Sequence, residues 1–259
     1  MRLLRPIAMR GKRRLLSALL PRRGERLARV FGWQVRLDLA ETIQRDIYMG
    51  TFEPVETRIV KALWRPGMTV VDVGANVGYY TLLAARQVGE TGRVLVFEPN
   101  GRAYLHLAQT LVLNRVHWVE TACLGLGDAA GHARLYLAPD SPMNDPTMVC
   151  DPGLAASEEA GVDTLDACLE RARCRRVDLL KLDCEGWEPK VIAGAAEALH
   201  RGRIRAVLCE FNDYWLRAAG SSPGDLWKTF ASLGFRDADA REQPDFGPNC
   251  LFTRLLVLR

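Results

Sequence analysis

The sequence predicts an α/β fold, with seven strands in a mostly parallel sheet and helices on both faces. Three observations carry that expectation. From residue 69 onward, short β-branched runs alternate with helical patterns, the signature of a parallel sheet. The first run, Thr69-Val70-Val71-Asp72-Val73, leads through Gly74 and Gly78 into a helix start. That is the strand, tight turn and helix of a doubly wound sheet. Four predicted strands end in acids, Asp72, Glu98, Asp183 and Glu210, at the edge where open α/β sheets bind ligands.

The elements follow in order. Residues 1–40 read as a basic arm, expected to be partly helical, and residues 41–259 as the α/β domain. Residues 41–65 form a helical lead-in: Ile47, Tyr48, Phe52, Ile59, Val60, Leu63 and Trp64 recur at helical spacing, punctuated by Gly50 and Pro54. Pro66-Gly67 ends it and delivers the chain to the first strand. A helix is expected over 77–88, stopped by Gly89, and a second strand runs to Glu98. A helix over 101–113 should turn Leu105, Ala108, Leu111 and Val112 to the core. Strand three covers 118–124, and 132–137 alternates as a hairpin strand does. Residues 138–161 hold four prolines and read as a long irregular segment. A short helix over 164–171 precedes strand four at 177–183. Helix 189–199 opens on Pro189, strand five is 206–211, and helix 223–233 leads to strands at 235–240 and 250–258, the last pair antiparallel.

Composition sets limits. The chain has 259 residues, 48% hydrophobic and 25% charged, enough for one sizeable domain of ordinary globular make-up. No stretch approaches the roughly 20 apolar residues that span a bilayer. Seven cysteines, an odd number with no C-x-x-C pair, speak against a zinc site or a disulfide framework and for a reducing, cytoplasmic setting. Charge is unevenly spread. Residues 1–36 hold 11 of the 35 Lys and Arg and one of the 31 Asp and Glu, a net +10, and the remainder carries −6. The arm reads first as a solvated segment; contact with a membrane surface or nucleic acid is the less favoured reading.

Spacing narrows the ligand. The turn after the first strand lacks the middle glycine of a dinucleotide fingerprint, because Asn76 stands there, and it lacks the Lys-Ser/Thr of a phosphate loop. The remaining pattern is D-x-G-x-N-x-G with Glu98 at the next strand end. An acid there suits ribose hydroxyls, and a ribose without a pyrophosphate points to S-adenosylmethionine. A tight turn with no ligand is the alternative, and two acids at neighbouring strand ends speak against it. Asp183-Cys184-Glu185-Gly186-Trp187-Glu188 is the densest acidic stretch. Asp183 and Glu185, two apart, share one face if the chain is extended. Glu188 reads equally as compensation of a helix dipole, and Lys181 as the partner of an acid or a side chain reaching solvent. His106, His117 and His200 avoid the strand ends and read as structural.

At these residues the chain resembles the FkbM family of S-adenosylmethionine-dependent methyltransferases. D-x-G-x-N-x-G-Y-Y-T from Asp72, F-E-P at 97–99 and K-L-D-C-E-G-W-E at 181–188 carry the resemblance, with Gly50-Thr51-Phe52-Glu53 and Val162-Asp163-Thr164-Leu165-Asp166 beside them. It spans about 48–211. It implies a Rossmann-like class I methyltransferase fold and methylation of a hydroxyl on a sugar, polyketide or other small metabolite. It also implies roles. Asp72, Gly74, Asn76 and Gly78, with Tyr79 beside them, would hold the methionine part of the cofactor. Glu98 would hold the ribose, Asn100 would help at the sugar or adenine, and Gly125 to Asp128, with Gly127 between, would read the adenine edge. Cys123, at the end of strand three, joins that cofactor set.

The expected chemistry is displacement at a sulfonium methyl by a hydroxyl. Asp183 or Glu185 is the expected base, with Glu210 third. No metal residue is assigned; Mg²⁺ held by the acids is the less favoured alternative. Rival functions are N-methylation of a peptide or amine, modification of nucleic acid through the arm, and a scaffold without catalysis. Met143, Asn144, Tyr214 and Trp215, in loops 138–161 and 212–224, are expected to shape the acceptor pocket. The partner is a small-molecule acceptor, and oligomeric state is left open.

Overall fold

The computed structural model describes residues 23–137, 146–150, 156–238 and 250–258. The expected seven-stranded sheet is present. Its members are β3 (Thr69–Val73), β4 (Arg93–Phe97), β5 (Val119–Ala122), β9 (Leu179–Leu182), β10 (Ala206–Asn212), β11 (Phe235–Asp237) and β12 (Leu251–Leu258). They lie in the order β11-β12-β10-β9-β3-β4-β5. Only the pairs made by β12 are antiparallel. Chain order reverses between β3 and β9, which is where a doubly wound sheet opens a crevice. The register pairs Val73 with both Phe97 and Leu182, so β3, β4 and β9 end level.

Alternation along the strands supplies two cores. Val71, Val73, Leu95, Phe97, Leu180 and Leu182 face one side, with Leu165, Val191 and Phe230 from covering helices. Val70, Val94, Val96 and Leu179 face the other, with Leu82, Leu83 and Leu107. The covering helices are α3 (Tyr79–Val88) and α4 (Gly101–Leu113) on the second face, and α5 (Leu165–Arg171), α6 (Glu188–Ala193), α7 (Ala196–His200) and α9 (Pro223–Ser232) on the first. The lead-in forms as expected: α1 (Thr42–Met49) stops at Gly50, and α2 (Pro54–Leu63) opens on its proline.

Several expectations are corrected. The described part of the basic arm is not helical. It is an antiparallel hairpin of β1 (Glu25–Val30) and β2 (Trp33–Asp38). Phe31 and Gly32 both take positive φ, the conformation of the tight turns that join two strands directly. The period is two: Ala28, Val30, Val35 and Leu37 turn to the core while Leu27, Arg29, Gln34 and Arg36 turn out. Residues 1–22 lie outside the described residues. The irregular segment ends in a strand, β8 (Ala156–Asp163), which pairs with β7 (Gly131–Leu137) and β6 (Gly125–Leu126) in a separate three-stranded sheet. On α4, Leu105 and Val112 are exposed and Ala103, Leu107, Thr110 and Leu111 are buried. The helix expected over 189–199 breaks at Gly194, whose backbone packs on Gly127 so closely that a Cβ would come within 1.9 Å of the Gly127 carbonyl. The first residues of the expected loop at 212–224 form α8 (Asp213–Ala218). No helix among the described residues is long and apolar enough to cross a membrane.

Candidate active site

A cavity of about 350 Å³ opens at the carboxyl ends of β3, β4, β9 and β10. Ligand pockets start at roughly this size. Its wall is the loop 74–77, Glu98-Pro99, residues 183–185, Glu210 and Asn212. Phe52 and Glu53 of the lead-in, Leu126, Leu135 and Met148 beside the small sheet, and Trp215 of α8 close it over.

On the cofactor side the residues divide by job. Glu98 lines the cavity. Its Oε2 accepts from the Asn76 N–H at 2.6 Å and its Oε1 from the Asn100 N–H at 2.8 Å. A carboxylate has about four lone-pair sites, so two remain for ribose hydroxyls. Burial lifts its pKa to about 7 against those two amide bonds. Gly74 and Asn76 also line the cavity, both at positive φ. A Cβ on Gly74 would lie 1.8 Å from the Asp183 carbonyl, so the glycine lets two strand ends close on each other. Tyr79 lines the cavity too, its hydroxyl sharing a hydrogen bond with Thr57 at 3.0 Å.

The other cofactor expectations fall elsewhere. Asp72 is buried behind the cavity wall on the α3 side. It accepts from the Thr81 hydroxyl at 2.6 Å and faces Lys181 Nζ at 3.8 Å. Gly78 begins α3, and its missing Cβ makes room for Leu107 of α4. Asn100 caps α4, its Oδ1 accepting from the Arg102 and Ala103 amides. That local bond explains the residue without a ligand. Cys123 is exposed, and Asp128 pairs with Lys190 at 3.7 Å. Gly127 packs on Val162 and donates its N–H to the Asp163 carbonyl. None of these six lines the cavity; at that edge the wall is Pro99, Gly125, Leu126 and Met148. Strand β5 ends at Ala122, so the chain has left the main sheet before the residues expected to read adenine.

The acceptor side gathers the three expected acids. Asp183, Glu185 and Glu210 each offer a carboxylate oxygen within 4.8 Å of the others, the spacing of a group that could also hold a metal ion. Glu210 differs from its neighbours. Burial, then Asp183 and Glu185 beside it, push its pKa to about 11. That direction favours the protonated form, which donates rather than accepts, and sets Glu210 apart from the other two acids. Its Oε2 is buried without a hydrogen-bond partner. Asp183 Oδ2 accepts from Lys181 Nζ at 3.0 Å. Glu185 sits at φ 49°, an uncommon conformation for a residue with a side chain. Two bonds hold it: Thr147 Oγ1 donates to its carbonyl at 2.8 Å, and Asn212 Nδ2 to its Oε2 at 3.4 Å. Glu188 is buried outside the cavity and accepts from the Cys184 N–H at 2.8 Å. It ties the loop back on the helix start, which is more than dipole compensation.

Three residues join the site beyond those assigned from sequence. Lys181 is almost fully buried. Burial works against its charge, but Asp183, Asp72 and Glu53 outweigh it and hold the ammonium well above the usual lysine range. Its Nζ stands 4.9 Å from the centre of the Tyr80 ring. The Tyr80 hydroxyl donates to Glu53, and Glu53 is lifted to about 7 by burial and by Asp183. The G-T-F-E segment carried the signal for Glu53; its role depends on α2 folding over the strand ends. Of the expected acceptor residues, Trp215 lines the cavity and Tyr214 is exposed. Met143 and Asn144 lie outside the described residues.

The lining holds Glu53, Glu98, Asp183, Glu185 and Glu210 against one cation, Lys181. That donor set fits a cationic nucleoside: Glu98 keeps lone pairs free for hydroxyls, and Asp183 and Glu185 add negative charge beside the remaining space.

Comparison with known proteins agrees. The family model described as the methyltransferase FkbM domain matches residues 72–236. Methyltransferase 1 of Beauveria bassiana (strain ARSEF 2860) is 28% identical over 211 residues, covering 73% of this chain and 80% of its own. Methyltransferase sdnD of Sordaria araneosa is 30% identical over 171 residues, 54% of this chain and 65% of its own. The 31-O-demethyl-FK506 methyltransferase FkbM of Streptomyces tacrolimicus is 29% identical over 178 residues, 58% of this chain and 67% of its own.

Proposed function

This chain belongs to the FkbM family of S-adenosylmethionine-dependent methyltransferases, and from that premise we propose that it methylates a hydroxyl of a small, uncharged, largely apolar metabolite in the cytosol. The observation that carries this reading is the unequal acid trio. A hydroxyl resembles water, with a pKa of ~15.7 in bulk, and is a weak nucleophile until a base takes its proton. Glu210 keeps its own proton, which leaves Asp183 and Glu185 to accept one. Removing the proton as attack proceeds is worth roughly 10²–10⁴-fold. Glu210 can donate to an acceptor oxygen and hold it in line. Positioning can supply ~7–11 kcal/mol, so the walls made by Phe52, Leu135, Met148 and Trp215 matter as much as the base. The bound cofactor would supply a methyl group on a sulfonium; the protein grips its ribose at Glu98 and screens the reacting space from water.

The relative from Streptomyces tacrolimicus is named for a reaction at an oxygen, which supports the choice of a hydroxyl. The lining charge supports an uncharged acceptor. Lys181 is the one lining cation among the described residues and already serves Asp72 and Asp183, so a phosphate or carboxylate would find no counter-ion. The seven free cysteines suit the cytosol.

The test is transfer of labelled methyl from S-adenosylmethionine into a panel of hydroxylated metabolites, with the product identified by mass. Asp183→Asn or Glu185→Gln should cut turnover by ~10²–10⁴-fold while S-adenosylhomocysteine still binds. Near-normal turnover in both removes the base assignment. Activity should survive exhaustive chelation. Loss on chelation, restored by Mg²⁺, would make the trio a metal site instead.

A further inference from the structure

The basic arm has no part in the reaction above, yet the structure gives it a companion. Strand β2 runs along α4: Asn114, just beyond the helix, exchanges two hydrogen bonds with the Gln34 backbone, at 2.8 and 2.7 Å. The His106 ring bonds the Arg36 carbonyl. The outward face of the hairpin therefore continues onto the exposed face of α4. That joint surface carries four of the six large apolar side chains exposed among the described residues: Leu27, Leu105, Val112 and Leu113. Val112 is 79% exposed and Leu27 62%. Leu105 and Val112 are seven apart, on one side of the helix.

The charges around them are mainly positive; Glu25, two residues before Leu27 on the same face and opposite Asp38, is the acid at the end of the hairpin. Leu27 pairs across the hairpin with Arg36, and Arg29 lies two residues along on the same face. Arg102 lies in the first turn of α4 and Arg115 just beyond its end, and the helix contains no acid and no lysine. None of these four arginines makes an ion pair among the described residues. The sequence leading into the hairpin, residues 1–22, adds seven Lys and Arg, three Leu-Leu pairs, no acid and no aromatic residue.

We propose that the β1–β2 hairpin and α4 form a docking surface for an anionic lipid bilayer. Aliphatic side chains set among arginines match an interface that is apolar just beneath a negatively charged layer. Nucleic acid matches less well, because single strands are held by aromatic stacking and the exposed apolar residues here are Leu and Val. The remainder of the chain is net negative, so an anionic membrane attracts this face and repels the rest. The domain lies on the lipid in one orientation.

The experiment is sedimentation of the full-length protein with phosphatidylcholine vesicles, with and without phosphatidylserine. Binding should be ~10-fold stronger on the anionic vesicles and should weaken with salt. Arg29→Glu with Arg36→Glu, and separately Leu27→Asp with Val112→Asp, should each cut vesicle binding ~10-fold. S-adenosylhomocysteine affinity and melting temperature should stay unchanged in both. Equal binding to the two vesicle types overturns the proposal. So does vesicle binding that survives both double variants, which would place the contact off this surface. Tighter binding to a random-sequence RNA at the same salt, lost in the arginine variant and kept in the Leu27/Val112 variant, overturns it in favour of nucleic acid.

Discussion

Asp72 and Glu98 end the two strands on the cofactor side, and each meets partners that the fold supplies. Thr81 bonds one Asp72 oxygen and Lys181 faces the other, which has no hydrogen bond of its own, and the Asn76 and Asn100 amides serve Glu98. Asp183, Glu185 and Glu210 end the strands on the acceptor side and are crowded against one another, and one Glu210 oxygen has no hydrogen bond. In sequence the two groups look alike, as acids at strand ends. They differ in what surrounds them once folded. A carboxylate set beside amides, as Glu98 is, or beside a hydroxyl and a lysine, as Asp72 is, stands apart from other acids. Carboxylates that share a site split into a proton donor and proton acceptors.

That contrast can be broken at Lys181, the residue that joins the two sides. Lys181→Met should destabilise the protein by ~3–5 kcal/mol, the cost of leaving a buried partner uncompensated. Urea denaturation measures it. Adding Asp72→Asn should restore part of the loss, and a single variant within about 1 kcal/mol of the parent would mean that Lys181 is not the link. A smaller effect isolates the gripping role. Glu98→Gln should weaken S-adenosylhomocysteine by ~10–100-fold, from the ~1.5–3 kcal/mol of hydrogen bonds to a charged group. Asn100→Ala should instead cost ~0.5–2 kcal/mol of stability as a lost helix cap, with little change in affinity by calorimetry. If the affinities reverse, the division between gripping and capping is wrong.

Thr147→Val tests the support of the acceptor side. The half-buried Glu185 carbonyl would lose its hydroxyl donor, at ~1–3 kcal/mol. Amide exchange across residues 184–187 should speed up by ~5–100-fold, and Thr147→Ser should restore it. The gentlest effect is on pH. Glu98 and Glu188 have folded pKa values raised to about 7 by burial. Between the ordinary glutamate value and about 7 the folded state binds more protons than the unfolded chain. Their contribution is full at low pH and lost as pH rises through about 7. Melting temperature of the free protein should therefore fall from about pH 5.5 to about pH 8; a rise across that range would contradict both assignments.

Much of this was legible in the chain. The alternation after residue 69 located all seven strands of the main sheet, because two-sided burial demands apolar β-branched runs. The glycine turn and the acids at 98, 183, 185 and 210 converge on one cavity. What failed depends on contacts distant in sequence. Asp72 carries the same one-dimensional signal as Glu98, but strand parity turns it toward α3. Gly127 and Asp128 follow a strand that stops two residues earlier than expected. The face of α4 was misread because an exposed Leu105 and Val112 look like a core stripe. The hairpin of residues 25–38 was hidden among arginines, although its period of two was there to be counted. Nothing local marks Thr147, whose partner lies 38 residues away.

The small sheet of β6, β7 and β8 has a further bearing. Leu126 and Leu135, which close one side of the cavity, come from it, and it shares no strand with the seven-stranded sheet. Leu126 packs in the core of the main sheet, but Leu135 packs with Leu137, Met148 and Ala160 in a cluster of its own, so exchanges at Leu135 can reshape the cavity wall with least effect on the strand ends. Side-chain changes on that separate cluster would alter the shape of one wall and spare the floor made by the strand ends.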